Sequence, residues 1–209
     1  WYLTSLTAPL PGPPGFANFT VILNHYGSPV WYKRTDRGVI DVKRRADGRI
    51  IYTPQLGNAY GIDPTRGYRV TSLAGTLIEE HFTVAPVNFP VDHHDYVELP
   101  NGGRAMLSFP LVRNQDLRVL GPGYNINDSI AEVWVQEINA QGQLVWDFKV
   151  GDHFDYREST FPVRFGLYPN EPNGGEVGVW HINSLDDVND GSGDYVLSGR
   201  HLDAVFRVD

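Results

Sequence analysis

The feature that most limits the folds open to this chain is a series of glycine turns, each set between two short apolar segments and alternating between two kinds. In one kind a Gly is followed by an apolar pair. It occurs as residues 19–23, Gly27, then Val30-Trp31-Tyr32; as residues 68–73, Gly75, then Leu77-Ile78; and as residues 132–138, Gly142, then Leu144-Val145-Trp146. The other kind turns on Asp-Gly, Asn-Gly or a longer acidic tip. It occurs as residues 41–45, Asp47-Gly48, then 49–52; as residues 93–99, Asn101-Gly102, then 104–109; and as residues 181–185, a tip at 190–193, then 195–200. Gly supplies the positive φ that tight turns between strands demand, so each unit reads as a β-hairpin. No stretch shows a helical period. The chain is therefore expected to be all-β.

Two alternating hairpins make one four-stranded antiparallel sheet, and repeats of that size mark a β-propeller. Gly48 and Gly102 lie 54 residues apart, Gly102 and Gly193 lie 91 apart, and the excess falls in residues 151–179, read as a long loop. A plain β-sandwich would account for the short strands but not for the alternation. The expected blades are roughly 17–67, 68–130 and 131–201, with 202–209 opening the next. Three blades and a strand leave unpaired edges, which propellers avoid by closing a ring. The remainder is expected from the same polypeptide or from another chain. Residue 1 is Trp and the only Met is Met106, so the sequence reads as a processed or partial chain.

Composition removes several function classes. With 17 Lys and Arg against 25 Asp and Glu, the net charge is −8. No basic run is present, so the electrostatic footprint for nucleic acid is missing. No apolar run has the length of a membrane span. The chain has no Cys, which excludes thiolate metal sites and a cysteine nucleophile.

The chemistry-bearing residues are chiefly histidines. Two of the Asn/Asp-Gly hairpins start on histidine, at His93-His94-Asp95 and at His181-Ile182-Asn183. Matching places in successive repeats are expected to converge at one end. On a strand His181 and Asn183 share a face, and Arg200 ends the return strand beside His181. Imidazoles, an amide and a guanidinium suit a substrate carrying an anionic oxygen group. Each histidine also has a plain reading as a strand-end cap. A metal site of His93, His94 and His181 is conceivable, but no spacing singles it out, and no metal or other cofactor is called for. The acidic tip at residues 186–191 departs from the calcium-loop pattern and reads as a solvated turn. Asn18-Phe19-Thr20 and Asn127-Asp128-Ser129 match the glycosylation acceptor, a pattern frequent by chance. The five tryptophans read as packing residues.

Three motifs in order resemble the arylsulfotransferase propeller family: Asp92-His93-His94-Asp95 with Leu99-Pro100-Asn101-Gly102; Gly142-Gln143-Leu144-Val145-Trp146 with Asp152-His153-Phe154; and Trp180-His181-Ile182-Asn183-Ser184 with the run from Ser198 through Arg200-His201 to Phe206. The resemblance implies a six-bladed propeller, usually exported to the periplasm or secreted. It implies transfer of a sulfuryl group from an aryl sulfate to a phenolic acceptor through a sulfated histidine, without a nucleotide donor. It assigns His94, His181, Asn183 and Arg200 to the pocket, with His93 as a substitute for His94 and His153 as a further candidate. The family's nucleophilic histidine falls beyond residue 209, and no histidine of this sequence matches it. A non-catalytic propeller, serving as a structural or binding subunit of an extracellular assembly, is the alternative, and an anion-binding or hydrolytic propeller a third.

Overall fold

All six glycine-turn hairpins form. The computed structural model describes residues 1–9, 16–35, 38–54, 67–166, 168 and 170–209, which fall into two units, residues 1–82 and 83–209. In the first unit, β1 (Tyr2–Pro9), β2 (Phe16–Leu23) and β3 (Pro29–Thr35) make one antiparallel sheet. There β4 (Val39–Arg44), β5 (Ile50–Pro54), β6 (Tyr68–Thr71) and β7 (Leu77–His81) make another. The second unit holds β8 (Val91–Glu98), β9 (Arg104–Ser108), β10 (Leu111–Gln115), β11 (Asp128–Ala131), β12 (Trp134–Ile138) and β13 (Leu144–Lys149). They are followed by β14 (Val163–Arg164), β15 (Val177–Gly178), β16 (Ile182–Asp187), β17 (Tyr195–Gly199) and β18 (Ala204–Val208). These strands form sheets in the orders β8-β9-β12-β13, β10-β11-β15-β14 and β16-β17-β18. The β11–β15 pair is parallel. Helical structure among the described residues is confined to single 3-10 turns, so the protein is all-β.

The two kinds of hairpin close by different side chains. In the Asp/Asn-Gly kind, Asp47 accepts from the Arg49 N–H and Asn101 from the Gly103 N–H, while Gly48 and Gly102 take φ of +87° and +80°. In the other kind, Asn24 and Asn139 open the turn. Asn24 Oδ1 accepts from the N–H groups of Tyr26 and Ser28, and Asn139 Oδ1 from those of Gln141 and Gln143. Such local bonds favour the turn over a continued strand.

The sheets group these hairpins one step later than the sequence spacing predicts. The β4–β5 hairpin pairs forward with β6–β7, through Ile50↔Thr71, and leaves β2–β3 to pair with β1. The β8–β9 hairpin pairs with β12–β13, from Arg104↔Ile138 to Ser108↔Trp134, and skips β10 and β11. Blade limits at 67, 130 and 201 therefore do not coincide with the sheets. Residues 55–66 of the first expected repeat lie outside the described residues. Strand β18 does not open a new unit but pairs with β17. Strands β5 and β9, buried on nearly every residue, lie inside their sheets, whereas β13 and β18, with exposed and covered residues alternating, lie at sheet edges. Residues 151–179, expected as one long loop, contain three 3-10 turns and the strands β14 and β15.

The core of the second unit packs Leu107, Val135, Ile182 and Leu197 around Trp180. Each such side chain contributes about 1.5–3 kcal/mol on burial. Trp146 stacks on Tyr195 with ring centroids 5.3 Å apart, as a packing tryptophan should. Trp1 is exposed and packs no core.

Candidate functional site

The site begins with a fault in a ladder. Val91 pairs with Ser108 and Tyr96 with Met106, so five steps along β8 answer two along β9. The four residues Asp92-His93-His94-Asp95 thus stand against the single residue Leu107. A bulge of this kind breaks strict alternation and re-aims side chains. Instead of facing opposite ways, His93 and His94 stack with centroids 4.4 Å apart.

Asp92 is the buried anchor. Its Oδ1 accepts from the backbone N–H of His94 at 2.8 Å and from the ring Nδ1–H at 2.5 Å. Because a carboxylate only accepts, the proton sits on Nδ1 and Nε2 is the nitrogen that His94 has left to offer. Burial opposes charge on Asp92, but the His94 charge and hydrogen bond outweigh it and hold the carboxyl below its usual range. Burial likewise opposes charge on His94, and Asp92 outweighs it, so this imidazole titrates above its ordinary value.

A second strand brings the next histidine. Asp95 Oδ2 accepts from the backbone N–H of Leu185 at 2.8 Å, which ties the β8 bulge to β16. His181, just before β16, then meets His94 edge-on with centroids 4.9 Å apart. His181 has φ of +46°, a left-handed backbone that costs a branched-chain or bulky residue about 1 kcal/mol or more and tends to occur at functional sites. Burial, followed by the charges of His94 and His201, brings its pKa down to about 3. Its buried Nδ1 makes no hydrogen bond among the described residues. One imidazole is thus biased toward charge and its neighbour toward neutrality.

His201 extends the row, with its ring 4.8 Å from His181. Its Nδ1–H donates to the Gly178 carbonyl at 2.9 Å, and burial lowers its pKa. The ladder continues past the strand ends: Arg200 N–H donates to the His181 carbonyl and His201 N–H to that of Trp180. Phe165 packs 5.4 Å from His181 and closes this side. Its ring lies against Gly178, where any Cβ would overlap it.

The expected residues are therefore not all equivalent. His94 and His181 come together, with His93 stacked behind. Arg200 follows His181 as the hairpin geometry requires, and its charge acts on His94, His181 and His201 alike. Asn183 does not share the buried face of His181. It falls in the register shift between Ile182 and Ser184 and is exposed, because the left-handed turn at His181 breaks the alternation on which the expectation rested. His153 stacks on Phe148 at 4.3 Å and is exposed, apart from the row. Asp92 and His201 belong to the site and were not singled out. The first had a signal, since a carboxylate two residues before a histidine on one strand shares its face.

Asp92, His93 and His94 each offer a ligand atom within 4.8 Å of the others. A metal lies in the plane of each imidazole that binds it. The planes of His93 and His94 are only 23° apart and stacked, so they share no point near both rings. As arranged, the cluster orders hydrogen-bonding and charge rather than a chelate.

Comparison with known proteins places the chain in a family. A solved structure of a protein of unknown function from Bacteroides caccae is similar over 99% of this chain and 69% of its own, at 12% identity and a TM-score of 0.41. No curated protein matches the chain. Residues 13–209 match the sequence profile described as Arylsulfotransferase (ASST), and the His94–His181 motifs lie inside that match, so the chain belongs to the arylsulfotransferase family.

Proposed function

We propose that this chain supplies the sulfuryl-holding part of an arylsulfotransferase, an enzyme that moves a sulfuryl group from an aryl sulfate to a phenol, and that its sheets are blades of a propeller. The observation that carries the reading is the contact of His94, held by Asp92, with the uncharged His181. In the transfer, the S–O bond to the donor ring breaks and the departing phenolate gains a proton. The acceptor phenol loses a proton as its oxygen bonds to sulfur. Negative charge spreads over the sulfuryl oxygens in the transition state, as in phosphoryl transfer. His94 and Arg200 stabilise that charge. The charged His94 gives its proton to the departing phenolate and regains one from the incoming phenol, while the neutral His181 offers a hydrogen-bonding nitrogen beside it. Paired groups whose surroundings drive their pKa values apart are suited to such divided roles. Following the family resemblance, a further histidine, matched by none of the seven here, carries the sulfuryl group between donor and acceptor. The same resemblance supports an exported location.

The test uses the full-length protein with 4-nitrophenyl sulfate as donor and phenol as acceptor, and follows release of 4-nitrophenolate. Release should depend on phenol and fall by about 10²-fold in His94→Ala and in His181→Ala. Release that does not depend on phenol, or that survives both substitutions, would overturn the proposal.

A further inference from the structure

The geometry points to a second binding site, in the first unit, that takes a small aromatic ring bearing an oxyanion. A cleft of about 220 Å³ opens between the β1–β3 sheet and the β4–β7 sheet, room for a single substituted ring. Among the described residues its lining includes Lys33, Arg34 and Arg69 and no carboxylate, in a chain whose net charge is −8. Lys33 and Arg34 form no ion pair among the described residues, and the Lys33 ammonium donates only to the Ala74 carbonyl at 3.0 Å. Arg69 is paired with Glu80 at 3.2 Å, but that acid is not part of the lining.

The rings and the cations are paired by strand geometry. Trp31 lies two residues before Lys33 on β3, so the two share a face. Tyr52 is the direct cross-strand partner of Arg69. Each sheet therefore presents one aromatic surface beside one cation. Thr20, the cross-strand partner of Lys33, is buried, and its Oγ1 has no hydrogen-bond partner among the described residues. A buried hydroxyl without a partner costs about 1–3 kcal/mol, which a ligand oxygen would recover. Apolar walls with a few converging donors are the usual makeup of a small-molecule site. The histidine row belongs to the second unit, and this inference does not rest on the proposed transfer.

The ring and the anion should both be required. The experiment follows the indole N–H signals of the protein's five tryptophans by two-dimensional NMR, with the Trp31 signal assigned from Trp31→Phe. Phenyl sulfate should shift that signal in a saturable way. Lys33→Gln, and separately Arg34→Gln, should each weaken the response about 10-fold, and His181→Asn should leave it unchanged. An unmoved Trp31 signal overturns the inference. So does an equal response to phenol, or to inorganic sulfate, since the site would then read only the ring or only the charge. A response that both cation variants keep at full strength overturns it as well. If transfer fails while Trp31 still responds, the proposed function falls and this site stands.

Discussion

Asp92 and His94, two residues apart on a bulged strand, are joined by both a ring and a backbone hydrogen bond to one carboxylate oxygen, at 2.5 and 2.8 Å. This double bond to one acceptor orients the imidazole and raises its pKa. Asp92→Asn removes the charge that keeps His94 protonated. Transfer should drop by about 10²-fold. The alkaline limb of the pH–rate profile, where a raised His94 loses its proton, should move to lower pH. A rate loss with an unmoved limb would show that Asp92 acts only on the fold.

Arg200 is exposed at its side chain and bonded through its backbone to His181. Arg200→Ala should therefore keep the melting temperature and lose roughly 10²-fold in transfer, the usual cost of removing one charge-stabilising donor. Thermal unfolding measured beside turnover separates the two effects. A lowered melting temperature with intact transfer would return Arg200 to a structural role.

His181 predicts the direction of acid destabilisation. Its pKa falls from 6.5 to about 3 on folding. Below 6.5 the unfolded chain binds a proton that the folded chain refuses, so stability is complete above that pH. It should decline as pH falls toward about 3, then stop changing on this account. His181→Asn removes the titration and suits the left-handed backbone, which Asn tolerates. Urea midpoints between pH 7 and 4 should fall less steeply for this variant than for the parent.

Asp95 links two sheets through the Leu185 N–H. Asp95→Ala deprives the N–H of buried Leu185 of that acceptor and should cost about 1–3 kcal/mol in urea unfolding. Because β8 carries His94 and His181 immediately precedes β16, transfer should fall further than stability alone requires at temperatures where the variant remains folded.

Gly178 has no room for a side chain against Phe165. Gly178→Ala should displace that ring and cost about 1–3 kcal/mol, as overpacked cores do. The displaced ring also contacts His181 and His201, so His201 ring protons should shift in NMR spectra. Unchanged His201 resonances would show that Phe165 does not hold the row.

Turns and strand class were legible in the residues because they depend on neighbours. Gly48 and Gly102 need positive φ, Asp47 and Asn101 close their own turns, and all six hairpins could be written down without any knowledge of what they pack against. That His94 and His181 each stand near the start of a hairpin was legible too; that their rings meet was decided by the β8 bulge and the Asp95–Leu185 bond. Which hairpins share a sheet was not legible. That choice lies in the pairing of β5 with β6 and of β9 with β12, partners distant in the chain. Asn183 was misplaced because alternation holds only for an unbroken strand, and the left-handed turn at His181 breaks it. Asp92 could have been picked out from its place two residues before His94, whereas His201 joined the site only in three dimensions. The bulge in β8 and the Gly178 carbonyl beside His201 are set by pairings between β8 and β9 and across the His181–Arg200 hairpin, and long-range contacts of that kind leave no periodicity in the sequence.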